Sequence, residues 1–246
     1  MERDYAAVYR GLYERHWWWR AREAMLVAEL RRLRPSAPEG FGDILDIGCG
    51  DALFFDRLRE FGTPQGVESD ATLVTEEARR TTNIHIGPLE TFHPSTRFGL
   101  IVMADVLEHV QDDAAFLRRA LDLLREDGIL VATTPALPLL WSAHDDANHH
   151  YRRYTRRTLR ATATAAGAEI ATLQDWFRWP LLPRLFARVL PLRAGTLTRI
   201  PSSPVNAMLE WVSLLDYRLR RVPLGPGTSL FAVMRRRRDS NLRSPG

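Results

Sequence analysis

Asp43-Ile44-Leu45-Asp46-Ile47-Gly48-Cys49-Gly50-Asp51-Ala52 is the stretch that decides the fold. Ile44, Leu45 and Ile47 form a short apolar run with β-branched members, the pattern of a buried strand. Two glycines follow, and then Leu53-Phe54-Phe55-x-x-Leu58, apolar at helical spacing. A strand that breaks into a glycine turn and then a helix is a nucleotide-binding geometry. Glycine lets the backbone turn sharply and lets a ligand approach it closely.

The class of nucleotide follows from what the turn contains and lacks. A dinucleotide fingerprint needs glycine at its first, third and sixth positions; here these are Gly48, Gly50 and Leu53. No Gly-Lys-Ser/Thr follows, which argues against a phosphate-cradling P-loop. Instead the acid Asp46 precedes the glycines, which suits a ligand with a cationic group and would repel a pyrophosphate. Gln65-Gly66-Val67-Glu68 reads as a second strand ending in an acid. Glu68 lies about 20 residues beyond Gly48, the separation at which an acid reaches ribose hydroxyls.

With Ala104-Asp105-Val106-Leu107-Glu108-His109-Val110 added, these segments resemble the class I S-adenosylmethionine-dependent methyltransferases, in a small-molecule branch. Where the family loop runs on as Thr-Gly, this chain has Asp51-Ala52; alanine still permits close helix packing. The resemblance covers Ile44 to Ala166 well and the two ends loosely. It implies an α/β Rossmann-like three-layer sandwich with a mostly parallel seven-stranded sheet and an antiparallel last strand. It also implies S-adenosyl-L-methionine as cofactor, held by Asp46, Gly48, Gly50, Glu68, Ser69, Leu89, Glu90, Ala104 and Asp105. Leu89 and Glu90 match the adenine-holding region after the third strand, and Ala104 and Asp105 the methionine end.

Composition agrees with such a chain. It has 246 residues, 45% of them hydrophobic, enough for one large domain or for one domain with an appended element. Cys49 is the only cysteine, so no internal disulfide forms and a reducing cytoplasm is the expected location. The N-terminus reads as no signal peptide, and no apolar run reaches the roughly 18 residues of a spanning helix. Every basic residue behind the net charge of +4 is arginine. The bias reads as that of a GC-rich genome, and with the arginines scattered and no RNA-binding module present, nucleic acid is not the expected partner.

Residues 1–34 are expected to form a helical cover, with Leu26, Leu30 and Leu33 at helical spacing. His16-Trp17-Trp18-Trp19-Arg20-Ala21-Arg22 resembles an aromatic-Trp-x-Arg-x-Arg segment of one family branch, which implies a helix closing over cofactor or substrate; pinning this helix to the core is the equal alternative. Residues 35–176 are expected to be the cofactor-binding core. Its helices are expected over Ala52–Phe61, Ala71–Arg80, Asp112–Arg125 and Thr155–Ala166, and a loop over Leu137–Asn148. Residues 177–227 read as a helical insertion broken by prolines: a lid, a dimer surface, or an amphipathic membrane patch. Residues 228–238 carry the last strand, and 239–246 are expected to be a disordered tail.

Two segments carry candidate chemistry. On a helix, Asp105, Glu108 and His109 stand at i, i+3 and i+4, a spacing suited to a divalent metal in some relatives and equally to a capping box. No metal ligand is assigned, and whether a metal joins these residues and His150 stays open. The second segment, Trp141 to Tyr154, resembles a family loop of the form Asp-x4-His-Tyr-Arg-Arg-Tyr. His150 is the candidate general base, with Asp145 to orient it and His149 and His144 as fallbacks. Trp18, Arg152, Arg153 and Tyr154 are the candidate acceptor-binding residues, arginine being suited to an anionic group. The expected reaction is methyl transfer to an oxygen, less readily a nitrogen, of a small molecule, as in natural-product or sugar tailoring. The alternatives are a lipid-linked acceptor at a membrane, and a cofactor-binding protein that transfers no methyl. A homodimer and a peripheral membrane contact are the partners left open.

Overall fold

The run that starts at Ile44 becomes the strand beside which the sheet reverses direction. A computed structural model describes residues 2–189 and 199–237, and shows seven strands: β1 (Asp43–Ile47), β2 (Thr63–Glu68), β3 (Ile84–Ile86), β4 (Phe98–Ala104), β5 (Leu124–Pro135), β6 (Ala168–Trp176) and β7 (Ser229–Arg236). Their order is β3-β2-β1-β4-β5-β7-β6. The first five strands pair in parallel, and β7 runs antiparallel between β5 and β6. The chain winds one way from β1 to β3 and the other way from β4, so a crevice opens outside the carboxyl ends of β1 and β4.

Both faces of this sheet are covered, which is why β4 and the middle of β5, Ile129 to Ala132, are continuously apolar. Leu45, Ile47, Ile101 and Met103 point to one face, against α5 (Asp113–Asp122) and α7 (Arg156–Ala165). Ile44, Leu100, Val102 and Val131 point to the other, with Met25, Leu26 and Leu30 of α2 (Trp17–Leu33) and Phe55 and Leu58 of α3 (Phe55–Leu58). A first helix, α1 (Glu2–Arg15), precedes α2. Three short helices, α4 (Glu76–Thr81), α6 (Ala143–Ala147) and α8 (Leu181–Val189), lie between strands. The last, α9 (Ser203–Arg218), packs along α2. The Trp17 N–H donates to Asn206 Oδ1 at 2.9 Å, Asn206 Nδ2 donates to the Arg15 carbonyl at 2.8 Å, and the Tyr217 hydroxyl donates to Glu29 at 2.7 Å. The residues before β1 and those between β6 and β7 therefore form one layer.

Several expected elements take a different form. The helix expected over Ala52–Phe61 shrinks to the single turn of α3, because Ala52 adopts a left-handed φ of 56°. The one expected over Ala71–Arg80 splits into a 3₁₀ turn at Ala71–Leu73 and α4, separated at Thr75, whose side chain caps α4. The helix expected to reach Arg125 stops at Asp122, and β5 starts at Leu124, where the Phe98 N–H already pairs with the Leu123 carbonyl. The stretch 137–148 is not all loop: it holds a 3₁₀ turn at Pro138–Leu140 and then α6, closed by a Ser142–Asp145 capping box. The tail 239–246 and residues 190–198 of the insertion lie outside the described residues.

Candidate active site

The glycine turn is built by backbone hydrogen bonds and by steric need. The Gly48 and Cys49 N–H groups both donate to the Val67 carbonyl, at 2.8 and 3.3 Å, which folds the turn onto the end of β2. Gly48 has a φ of 74°, and a Cβ there would lie 2.7 Å from Val106 Cγ2, so both conformation and space require glycine. Glu68 closes the turn from β2: its carboxylate accepts the Gly50 N–H at 2.8 Å and the Asp70 N–H at 2.9 Å. Asp51, which stands where the resembled family loop has threonine, ties the turn to its surroundings. It accepts the Thr75 N–H and hydroxyl, at 2.8 and 2.7 Å, and pairs with Arg10 of α1.

Above this turn lies the helical cover. Tyr9 sits over Gly50, with Cε1 3.7 Å from where a Cβ would stand. Tyr9, Tyr13, Arg22 and Leu26 close over Asp46, Gly48, Cys49 and Ala104, leaving a cavity of about 40 Å³. Arg22 is buried and paired with Asp105; burial opposes its charge, and Asp105 beside it keeps it protonated. Its guanidinium lies 4.8 Å from the Trp18 ring centroid and 5.0 Å from that of Trp19, a cation–π clamp on its own helix. Trp17 is the residue that pins α2, packed against Phe177 and Trp179. Trp18 stacks on Phe177 with centroids 5.8 Å apart.

Asp105 does not share a helix face with Glu108 and His109. Its φ is 58°, and only a 3₁₀ turn, Leu107–His109, follows. Its carboxylate therefore faces Arg22, while Glu108 turns into the protein. The Asp-x-x-Glu pattern forms no capping box here, for no side chain caps that turn. Glu108, His109 and His150 instead converge, each with a potential ligand atom within 4.8 Å of the others. Glu108 is buried with Oε2 unpartnered; burial, then the charge of Asp105, pushes its carboxyl well up. His109 is shifted down by partial burial and by His150.

The loop after β5 is organised by Asp145, which is fully buried. Its carboxylate accepts from Arg153 Nε at 2.7 Å and Nη2 at 3.0 Å, and from the Ser142 N–H at 2.9 Å. It also faces His150 Nδ1 at 2.9 Å. Burial alone would raise its carboxyl; the hydrogen bonds from His150 and Arg153 outweigh that and hold it well below the usual carboxylate range. The Tyr151 N–H donates to the Glu108 carbonyl at 2.7 Å, which joins this loop to the turn after β4.

Backbone conformation marks the same edge. Among the described residues, the non-glycine residues with left-handed φ are Ala52, Asp105, Leu137, His149 and Phe177, on the segments that follow β1, β4, β5 and β6. Each costs on the order of 1 kcal/mol, and such strain gathers at functional sites.

The other expected site residues divide. Ser69 and Glu90 are exposed, while Leu89 is buried in the core. Arg153 and Tyr154, read from the sequence as acceptor contacts, are turned inward: Arg153 grips Asp145 and the Ala136 carbonyl, and the Tyr154 hydroxyl donates to Asp113 at 2.7 Å. Both are buried, so neither offers a polar group to an acceptor. Arg152 reaches Asp113 at 3.1 Å and stays about one-third exposed. His149 and His144 lie outside the Asp145 contact that His150 makes.

The match to known proteins covers the part that carries this geometry. A family model described as a methyltransferase domain matches residues 18–173, more than half of the chain. The chain belongs to the methyltransferase-domain family. It is 31% identical over 98 residues to the ubiquinone biosynthesis O-methyltransferase of Rhodopseudomonas palustris strain TIE-1, a match spanning 37% of this chain and 39% of that protein. The curated relatives are thus matched over about two-fifths of their length. Its fold is similar to that of a TehB-like SAM-dependent methyltransferase from Corynebacterium glutamicum, with a TM-score of 0.54, 17% identity, and 96% and 98% of the two chains covered. It is also similar to Haemonchus contortus phosphoethanolamine N-methyltransferase 2 in complex with S-adenosyl-L-methionine, with a TM-score of 0.57, 13% identity, and 87% and 52% covered.

Of these two structural neighbours, the first is described as S-adenosylmethionine-dependent and the second holds that cofactor. The donor set around the glycine turn fits that cofactor: an acid at the end of β2, an acid beneath the turn, and a buried cation with its own acid across from them. Tyr9, Tyr13 and Arg22 form the cover over the cavity at this turn.

Asp46 gives this site a pH signature. Burial, then repulsion from Glu68, pushes its carboxyl up to about 7. A folded value above the unfolded one means a contribution to stability that is full below the unfolded value and lost as pH rises toward 7. The ligand-free methyltransferase is expected to lose melting temperature between pH 5 and pH 8. Asp46→Asn is expected to lose less, by at least about 2–4 °C, the equivalent of 1 kcal/mol in a chain of this size. Parallel melting curves across that range would show that Asp46 is not the group responsible.

Arg22, which stands in the Trp-rich segment with no role of its own read from the sequence, lies over the glycine turn. Its signal was present: an arginine three and four residues beyond Trp19 and Trp18 shares their helix face. Its pairing with Asp105, 83 residues away, had no local signal.

Proposed function

We propose that this enzyme transfers a methyl group to an oxygen of a small-molecule acceptor, less readily to a nitrogen, with His150 as general base. The observation that carries this is the Asp145–His150 contact of 2.9 Å, backed by the two-pronged grip of Arg153 on the same carboxylate. A buried carboxylate at Nδ1 favours the tautomer with its proton there. Nε2 then remains to accept a proton beside the turn after β4. Asp145 orients the ring, and Arg153 fixes Asp145.

When bound, the cofactor supplies a methyl group already activated on a sulfonium, so the protein must align the acceptor, exclude water and remove a proton. Asp46, Gly48, Gly50 and Glu68 would hold the nucleoside half, and Arg22 with Asp105 the amino-acid half. Trp18, stacked on Phe177, offers an aromatic face to the acceptor, and Arg152 a partly exposed cation. The preference for oxygen draws support from the O-methyltransferases matched over 98 residues.

The convergence of Glu108, His109 and His150 favours a second reading, in which these three hold a divalent cation. Incubation with methyl-labelled cofactor and a panel of phenols, catechols and amines, with and without a chelator, separates the two. The metal-free base predicts label on oxygen at rates a chelator leaves unchanged. Activity lost to the chelator and restored by a divalent cation would replace it with the second reading.

A further inference from the structure

The outward side of α9 is built inside-out. Its buried residues are Asn206, Ser213 and Asp216, all polar, while the apolar Val205, Met208, Trp211, Leu215 and Leu219 face water. The polar set is used: Asn206 bonds the start of α2, Ser213 accepts from Trp179 Nε1 at 3.0 Å, and Asp216 pairs with buried Arg178 at 2.9 Å. Leu209, Leu214 and Tyr217 complete the packed side. The exposed set recurs at intervals of three and four, which places it on one helix face. Trp211 is 62% exposed, and Leu224, just beyond the helix, 58%. Single exposed apolar side chains are ordinary; a continuous stripe of them marks a surface that meets something.

We propose that this face docks on an anionic lipid membrane. Charge selects the partner. The acids of α9, Glu210 and Asp216, are both engaged, with Arg20 at 3.0 Å and with Arg178. The exposed Arg199, Arg218 and Arg221 at the ends of the helix have no ion-pair partner among the described residues. Apolar side chains with a tryptophan, with exposed arginines at the helix ends and no unpaired acid on α9 itself, are the composition of a helix lying in a lipid interface. A second copy of this face would set arginine against arginine with no acid to answer it. A nucleic acid would meet the arginines and leave the stripe in water. The preceding helix of the same insertion, α8, also exposes Leu182 and Phe186, each 64%. Among the described residues no helix is long and apolar enough to cross a membrane, so the contact is peripheral.

Co-sedimentation of the full chain with vesicles tests this. Phosphatidylcholine vesicles containing phosphatidylglycerol are expected to carry the protein down, pure phosphatidylcholine vesicles far less, and added salt to weaken the difference. Trp211→Ser combined with Leu215→Ser is expected to lower partitioning at least about tenfold. Arg218→Gln combined with Arg221→Gln is expected to remove the preference for anionic lipid. All four side chains are exposed or edge the surface, so unchanged melting curves and cofactor binding certify the variants as folded. Failure of the folded wild type to sediment with the anionic vesicles would overturn the proposal. So would full binding by the Trp211 and Leu215 variant, which would reduce the contact to charge alone. A wild-type dimer in solution that this same variant dissociates would make the stripe an interface between copies instead.

Discussion

Replacing Asp145 with alanine is expected to cost about 3–5 kcal/mol of stability, the penalty for leaving a buried charge without its partner. Arg153 would remain buried beside the Ala136 carbonyl with its two carboxylate bonds gone. The N-terminus of α6 would lose its capping box at the same time, and His150 the group that orients it. A second cation sharpens the effect, since burial and the charge of Arg153 already depress Arg184 to about 10. In a chain of this size the loss corresponds to a melting temperature lower by roughly 10 °C. Asp145→Asn, which keeps the shape and one acceptor oxygen, is expected to fall between the two. The same carboxylate sets an acid limit. Its folded value lies below the unfolded one, so its contribution is present above the ordinary carboxylate range and is lost as pH falls through and below about 4. Guanidinium unfolding of wild type, Asp145→Asn and Asp145→Ala measures the series. An alanine variant as stable as wild type would mean that Arg153 finds water or another acid on its own.

The second large effect falls on rate. His150→Gln is expected to lower kcat by about 10²–10⁴-fold, the usual contribution of a positioned general base. The cofactor Kd should not change, because His150 lies on the loop after β5 and the glycine turn is made by β1 and β2. Stability should change little, since glutamine can still donate to Asp145. Single-turnover kinetics with labelled cofactor, together with calorimetry, separates these quantities. A near-wild-type kcat would remove His150 from the reaction and leave the Asp145 cluster a structural knot.

The parts of the molecule legible in the sequence are those set by local pattern. The strand at Ile44, the glycine turn and the acid ending β2 are written in consecutive residues, and the alternation of strand and helix fixes the layered fold. The contact between Asp145 and His150 spans five residues of one loop, close enough to read; their role in catalysis is a proposal. What escapes is set by long-range pairing or by single backbone angles. Nothing in Ala52 announces a left-handed φ, and without it α3 would have extended. Asp105 looks helical with Glu108 and His109 until its own left-handed φ turns it toward Arg22. Arg153 and Tyr154 are polar residues in a polar loop, and only their partners, Asp145 and Asp113, show that they point inward. The side of α9 that meets α2 is read wrongly by hydrophobicity, because its buried residues are the polar ones.

Calorimetric titration of S-adenosylmethionine and S-adenosylhomocysteine into wild type and Glu68→Ala tests the central claim most directly. Micromolar binding to the wild type is expected, weakened at least tenfold, about 1.4 kcal/mol, in a variant that still melts cooperatively. Absence of binding by the folded wild type, or equal binding by the variant, would contradict a cofactor held between the glycine turn and the acid that ends β2.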